Sequence, residues 1–288
     1  MNREDNGSRK YVLMELGEYF EEVMKERVKK AAYSSDWADG KPSSRETGES
    51  HMFKYHRLES YEDTLNNLEL NEDEDRQEVL EQNEDLRRDY RLHYMLDVET
   101  KGSPSLLDID EFADPRQYHL QVKKPGSDAS SQTTVDLLET FNYLLGLRVE
   151  QINVPETFTA DFHRPEDPEL PDDERTRLEV DGEMEPEEDG DWWFRTVTGW
   201  VPSDPVHPDE SDREHVLVIW RTLTDNREKD NVMLNAYVED QRDELLNVDR
   251  VYVNGSNNLV SLRREGKDWE AHLLEKEFME RMWDDADV

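Results

Sequence analysis

Apolar and polar positions along this chain sort into segments of two periods. Residues 11–16 form a short, nearly continuous apolar run broken only by Glu15. Such a run predicts a strand buried on both faces, of the kind found inside parallel sheets. From residue 18 to 33 the period lengthens. Tyr19, Phe20, Val23, Val28, Ala31 and Ala32 fall near one side of a helix, with Lys29 and Lys30 in its last turn, where the dipole favours cations. Residues 34–50 are rich in Ser, Gly and acids and read as a loop. Residues 52–58 alternate in part and read as a strand. Ser60, with Asp63 three positions on, resembles a short capping box and opens a helix over 61–70.

Residues 71–93 are compatible with a helix but almost wholly charged, which predicts an exposed helical connector. Strands are expected at 94–98 and 118–124, with a turn over 102–105 between them. The strongest helical pattern lies at 135–149, where Val135, Leu138, Phe141, Leu145 and Val149 recur on one face and Gly146 falls near the end. Residues 153–191 carry five prolines among acids with no periodicity and read as a linker. Beyond it, strands are expected at 192–201, 215–223 and 250–254, and helices at 229–242 and 273–283. The stretch 216–254 has the size of a strand–helix–strand unit. Together these segments predict an α/β protein. Residues 1–70 form one part, 71–93 a connector, 94–152 an α/β segment, 153–191 a linker, and 192–288 a mixed α/β C-terminal domain.

Composition changes this picture in one respect. The 288 residues carry 72 Asp+Glu against 35 Lys+Arg, a formal net charge of -37, and only 34% are hydrophobic. Values of this kind are the usual mark of disorder. Seven Trp, 11 Tyr and 8 Phe argue for a folded chain instead. The acid excess then has two readings. One is an acidic interaction surface or nucleic-acid mimic. The other, which we favour, is adaptation to a saline cell, where like-charge repulsion is screened over about 3 Å at 1 M salt. The charges are spread along the chain and are densest at 69–85 and 166–191. No apolar stretch approaches the roughly 18 residues of a membrane-spanning helix. The polar first ten residues do not resemble a secretory leader. The absence of Cys excludes disulfides and thiol catalysis. A cytoplasmic location is expected.

Candidate chemistry is sparse. The sequence holds no phosphate loop, GxGxxG, GxSxG or HExxH motif, and no catalytic or metal-binding residue is assigned. His51 and His56 have poor spacing for a metal pair. Asp136 and Glu139 are three apart on a helix, a spacing that chance supplies often in so acidic a chain. Asp230 and Asn231 read as a helix cap. The basic cluster Arg87, Arg88, Arg91 reads as a solvated helix face. Glu15 stands out, because it ends an apolar strand that enters a helix through Gly17. Ligands of doubly wound folds bind outside the carboxyl ends of strands, and a carboxylate there can accept hydrogen bonds from both ribose hydroxyls. An acid resting near a helix N-terminus is the other reading.

A long, ordered series of segments carries a resemblance. The series runs NREDNGSRKYVLME at 2–15, GEYF at 17–20, DGKP at 39–42, SHMFKY at 50–55, RLESYEDTL at 57–65, VDLLETFN at 135–142 and YLLGL at 143–147. It continues with VIWR at 218–221, the pair Asp230-Asn231, and YVNG at 252–255. In this order they resemble the region after the cofactor loop in type III restriction–modification DNA methyltransferase subunits, which are adenine-specific enzymes of the β class. The composition is of the haloarchaeal type. The resemblance covers nearly the whole chain and implies an incomplete Rossmann-like methyltransferase segment followed by a mixed α/β domain. It also implies S-adenosylmethionine as cofactor, with Glu15 on its ribose hydroxyls.

Two family motifs are missing. DPPY holds the target base, and FxGxG lets the backbone approach the cofactor. Here Asp114-Pro115, Asp167-Pro168 and Asp204-Pro205 lack the following Pro-Tyr. The implied function is that of a C-terminal module which needs a separate N-terminal methyltransferase half, or the modification and restriction subunits (Mod and Res), for activity. DNA would be met through the assembled enzyme. The alternative is a non-catalytic assembly module or an inactive gene remnant.

Overall fold

The computed structural model describes residues 10–17, 19–50, 52–68, 112–123, 129–166, 176–204, 212–240, 248–259 and 270–283. The expected connector at 71–93, the strand at 94–98 and the turn at 102–105 lie outside them. So do His51 and the cluster at 87–91. The chain divides into two units. Unit 1 is residues 1–63 with 122–131, and unit 2 is residues 64–121 with 132–288.

In unit 1 a π-helical turn, Phe20–Met24, runs directly into helix α1, Lys25–Tyr33. The two-residue strands β1, Trp37–Ala38, and β2, Lys41–Pro42, pair antiparallel across Asp39 and Gly40, both with positive φ. That is the turn geometry a two-residue hairpin requires. The buried hydroxyl of Ser34 meets the carbonyls of Asp36 and Ser44 and the hydroxyl of Thr47, so the loop after α1 is folded back on the helix end. Helix α2, Tyr61–Asn66, is shorter than its sequence pattern suggests. Ser60 Oγ accepts from the amide of Asp63 at 3.1 Å, as the capping pattern predicts.

Unit 1 departs from expectation elsewhere. Residues 11–16 and 52–58 belong to no strand and are exposed. A run apolar on both faces needs a strand on each side of it, and among the described residues none pairs with 11–16. The Rossmann-like sheet is therefore not formed by the described residues.

Unit 2 is built on a seven-stranded mixed sheet. Strands β3, His119–Lys123, and β4, Ser130–Thr134, form a separate two-stranded ladder, with residues 122–123 and 130–131 counted in unit 1. Helix α3, Leu137–Leu145, follows. Its N-cap is Asp136, whose Oδ1 accepts from the amide of Glu139 at 3.1 Å. Its end is Gly146 at φ 72°, where the amides of Gly146 and Leu147 close back on the last carbonyls. Glycine takes this left-handed cap without a Cβ penalty.

The sheet strands are β5 (Arg148–Ile152), β6 (Glu156–Thr159), β9 (Glu185–Pro186), β10 (Trp192–Pro202), β11 (Arg213–Arg221), β12 (Arg250–Val253) and β13 (Glu270–Leu273). Strands β7 (Phe162–His163) and β8 (Glu179–Val180) pair apart from it. The order is β13-β12-β11-β10-β6-β9, with β5 also on β10. β10 is antiparallel to β11, whereas β11, β12 and β13 run parallel. Residues 153–191, expected as a linker, thus contribute β6 and β9 to the sheet. Residues 132–152 fall into one unit with 192–288, whereas 122–131 fall into unit 1.

Alternation along the strands gives the sheet two apolar faces. Trp193, Val197, Val216, Val218, Trp220 and Tyr252 face α3 and helix α5, Leu274–Trp283, through Phe141, Leu274 and Phe278. Trp192, Phe194, Leu217, Ile219, Val251 and Val253 face helix α4, Arg227–Asp240, through Met233, Leu234 and Tyr237. The rings of Phe194 and Tyr237 stack at 4.3 Å. Burial on both faces explains why β11 is the most continuous apolar run in the chain. No helix among the described residues is long and apolar enough to cross a membrane.

Candidate functional site

The parallel strands β11, β12 and β13 end on one side of the sheet, and buried polar side chains gather there. Arg221 is the last residue of β11 and is 1% exposed. Its Nε donates to the carbonyl of Asn254 at 3.1 Å, one terminal nitrogen to the carbonyl of Asp230 at 2.7 Å, and the other to the carbonyl of Ser256 at 3.1 Å. Asn254 follows β12 directly. Its Oδ1 accepts from the Arg221 amide at 2.9 Å, and its Nδ2 donates to the Arg221 carbonyl at 2.8 Å. The carboxamide thereby adds one rung to the ladder beyond the strand end.

Two carboxyl groups flank the guanidinium. Asp230 lies in the first turn of α4, whose cap is Asn226, three residues ahead of the sequence-based start at 229. Asp230 Oδ1 accepts from Trp192 Nε1 at 3.0 Å and from the Thr224 hydroxyl at 2.8 Å. Its Oδ2 accepts from the Thr224 amide at 3.0 Å. Glu275 is the second residue of α5, which begins with no loop after β13. Its Oε1 accepts from the amide of Gly255 at 2.6 Å, while its buried Oε2 meets no hydrogen-bond donor. Gly255 has φ 74°, and a Cβ there would come within 2.6 Å of the Leu223 side chain.

Burial governs the electrostatics. Desolvation lowers Arg221 to about 10, opposed by the nearby charges of Asp230 and Glu275. Desolvation also raises Glu275 above the ordinary carboxylate range, and its backbone hydrogen bonds and Arg221 offset this only in part. An arginine between two carboxyls, with its donors on backbone carbonyls, locks strand ends together. Arg221, Asp230, Asn254 and Glu275 are all buried, and their hydrogen bonds tie the strand ends to α4 and α5.

The residues singled out from sequence are placed differently. Glu15 is exposed, and its Oε1 accepts from the amide of Gly17 at 2.8 Å, which closes a local turn. No other candidate residue is brought to it among the described residues. His56 is also exposed. Asp136 and Glu139 form a helix cap and not a carboxylate pair. Asp230 is the recipient of three hydrogen bonds at the strand ends and not a cap. Sequence pattern assigns no role to Arg221, Asn254 or Glu275. One signal was available: a charged residue placed directly after the run Val216–Trp220, where only a paired charge can be buried. Among the described residues no group of three or more His, Asp or Glu could hold a metal ion. No protein-family model, curated protein or solved structure matches the chain.

Proposed function

We propose that this chain is the C-terminal module of a site-specific DNA adenine-N6 methyltransferase of the type III kind, active only with a half that carries DPPY and FxGxG. The ordered series of segments from NREDNGSRKYVLME to YVNG supports this reading. The observation that carries it is structural: the apolar run 11–16 that reads as an inner strand, with Glu15 in it, joins no strand and is exposed. In an assembled enzyme Glu15 would release Gly17 and accept from the ribose hydroxyls of S-adenosylmethionine. The complementing half would supply the base pocket and the glycine loop. The test is to co-express the chain with a polypeptide carrying both motifs and to measure transfer of labelled methyl from S-adenosylmethionine to adenine in DNA. Transfer by the pair and by neither part alone is the expected result. Absence of transfer by a pair that does associate would reject the reading.

A second reading, a non-catalytic assembly module or inactive remnant, is favoured by unit 2. Its polar cluster around Arg221 is buried and hydrogen-bonded within the fold.

A further inference from the structure

We propose that the exposed strip of Lys30, Trp37, Tyr33 and Arg45 on unit 1 is a contact for single-stranded nucleic acid, its two rings meeting unstacked bases and its two cations the phosphates beside them. This deepens the reading above by naming where the chain holds a DNA strand, and its test reads binding rather than methyl transfer.

The first observation is geometry. The Tyr33 and Trp37 ring centroids are 6.2 Å apart. Lys30 Nζ lies 5.8 Å from the centre of the Trp37 ring, and Arg45 Cζ lies 5.4 Å from that of Tyr33. The four side chains therefore form a continuous strip. It faces solvent: Tyr33 and Trp37 are 44% and 36% exposed, and Lys30 and Arg45 are exposed as well. Hydrogen bonds fix it in place of a core. Trp37 Nε1 donates to the Ser34 carbonyl at 2.7 Å, β1 pairs with β2 beside it, and the hydroxyls of Ser34 and Thr47 meet at 3.0 Å. Aromatic rings held at a surface by polar contacts are presented to a ligand, whereas a pair serving only stability is ordinarily buried.

The second observation is what the two cations do not touch. The chain has 72 Asp+Glu for 35 Lys+Arg, so a carboxylate is available to almost any cation. On the same helix Lys25 pairs with Glu21 and Lys29 with Glu26. Lys30 and Arg45 form no ion pair with a carboxylate among the described residues and rest on rings instead. A cation beside an aromatic face matches the two halves of a nucleotide, the phosphate and the base. An acidic peptide would use the cations and leave the rings idle. Salt decides which half carries affinity. At 1 M salt the screening length is about 3 Å, so repulsion from the acid excess does not extend to the strip. Phosphate contacts weaken with salt as well, which leaves base stacking on the two rings as the larger contribution.

The experiment follows the anisotropy of a short fluorescent oligothymidylate added to the full chain over a series of high salt concentrations. The wild-type chain should bind, with a log–log salt slope of about -1.4, or roughly 0.7 for each of two phosphates. Lys30→Gln/Arg45→Gln should bring that slope toward zero. Trp37→Ala should weaken binding at least about fivefold at every salt concentration, the lower end for one base-stacking ring, and Trp37→Phe should restore most of it. Slow exchange of the Ser34 and Glu49 amides, which bond back to Lys30 and Ala32, checks that each variant keeps its fold. The Gln pair alters no ring and no backbone contact, so it stands as the test if Trp37→Ala loses that protection. Absence of binding by the wild-type chain overturns the inference, as does an unchanged slope with the Gln pair. Displacement of the probe by polyglutamate makes the occupant an acidic polypeptide and overturns it too, and tighter binding of duplex than of single strand leaves the rings without a role and does the same. Oligonucleotide binding that the variants weaken, without methyl transfer by the completed pair, keeps the strip and rejects the enzymatic reading. Methyl transfer whose KM for DNA the variants leave unmoved does the reverse.

Discussion

Units 1 and 2 treat the same kind of residue in opposite ways. Among the described residues, unit 2 contains every buried apolar side chain, from Phe112 to Phe278, and unit 1 contains none. Yet unit 1 is not poor in apolar residues. Tyr11, Val12, Leu13, Met14 and Leu16 would make a strand as apolar as much of β11. The difference lies in neighbours. Strand β11 has β10 and β12 beside it and helices above and below, so each side chain replaces water with protein. Among the described residues, no strand is paired with 11–16, and intrinsic pattern alone does not fold them. An apolar run is a demand for partners, which the same polypeptide does not always supply.

Substitutions can break or sharpen this comparison. The largest effect is expected in unit 2 at Arg221. Arg221→Ala would leave Asp230 and Glu275 buried without their cation and several carbonyls without donors. The expected loss is about 3–5 kcal/mol, read from denaturant unfolding, and a loss under about 1 kcal/mol would show that the cluster is dispensable. Next comes Gly255→Ala, which places a Cβ at φ 74° against Leu223. A loss of about 1–3 kcal/mol is expected. Removing the α3 cap with Asp136→Ala should cost about 1 kcal/mol, with helix fraying visible by amide exchange at Glu139.

Glu275 gives a pH signature. Its folded pKa lies above its ordinary 4.5, so the folded state holds the proton more tightly than the unfolded chain. Its contribution to stability is therefore fully present below about 4.5 and is lost as pH rises through the raised value. Glu275→Gln should flatten that part of the stability profile, and an unchanged profile would assign the slope to other groups. The smallest effect belongs to unit 1. Val12→Ser/Met14→Ser/Leu16→Ser should alter the thermal unfolding of the free chain by no more than about 0.5 kcal/mol. A larger loss would mean that unit 1 buries these residues after all.

Legibility in the sequence followed the same division. Period and run length located β10, β11, β12, α3, α4 and α5 to within a few residues, because each sits in a core whose two faces impose that period. Residues 156–159 and 185–186 were hidden. They are short segments set among acids and prolines, and what makes them strands is the ladder from β10 to 156–159 and from there to 185–186. The polar cluster was illegible for a related reason. Arg221, Asp230, Asn254 and Glu275 span more than fifty residues and meet only because three parallel strands end together. Residues 11–16 and 52–58 carry a strand pattern yet join no strand, because periodicity reports a preference for burial and not whether burial is met.

The junction of β13 with α5 has a mechanical consequence. Leu273 ends the strand and Leu274 begins the helix, so one peptide bond separates them. A loop would act as a hinge; this joint is an elbow with no slack. Turning α5 would swing Glu275 away from the Gly255 amide and twist β13 in its ladder with β12 at the same time. Helix and strand therefore behave as a single bent lever, with Glu275 as the pin that fixes its angle.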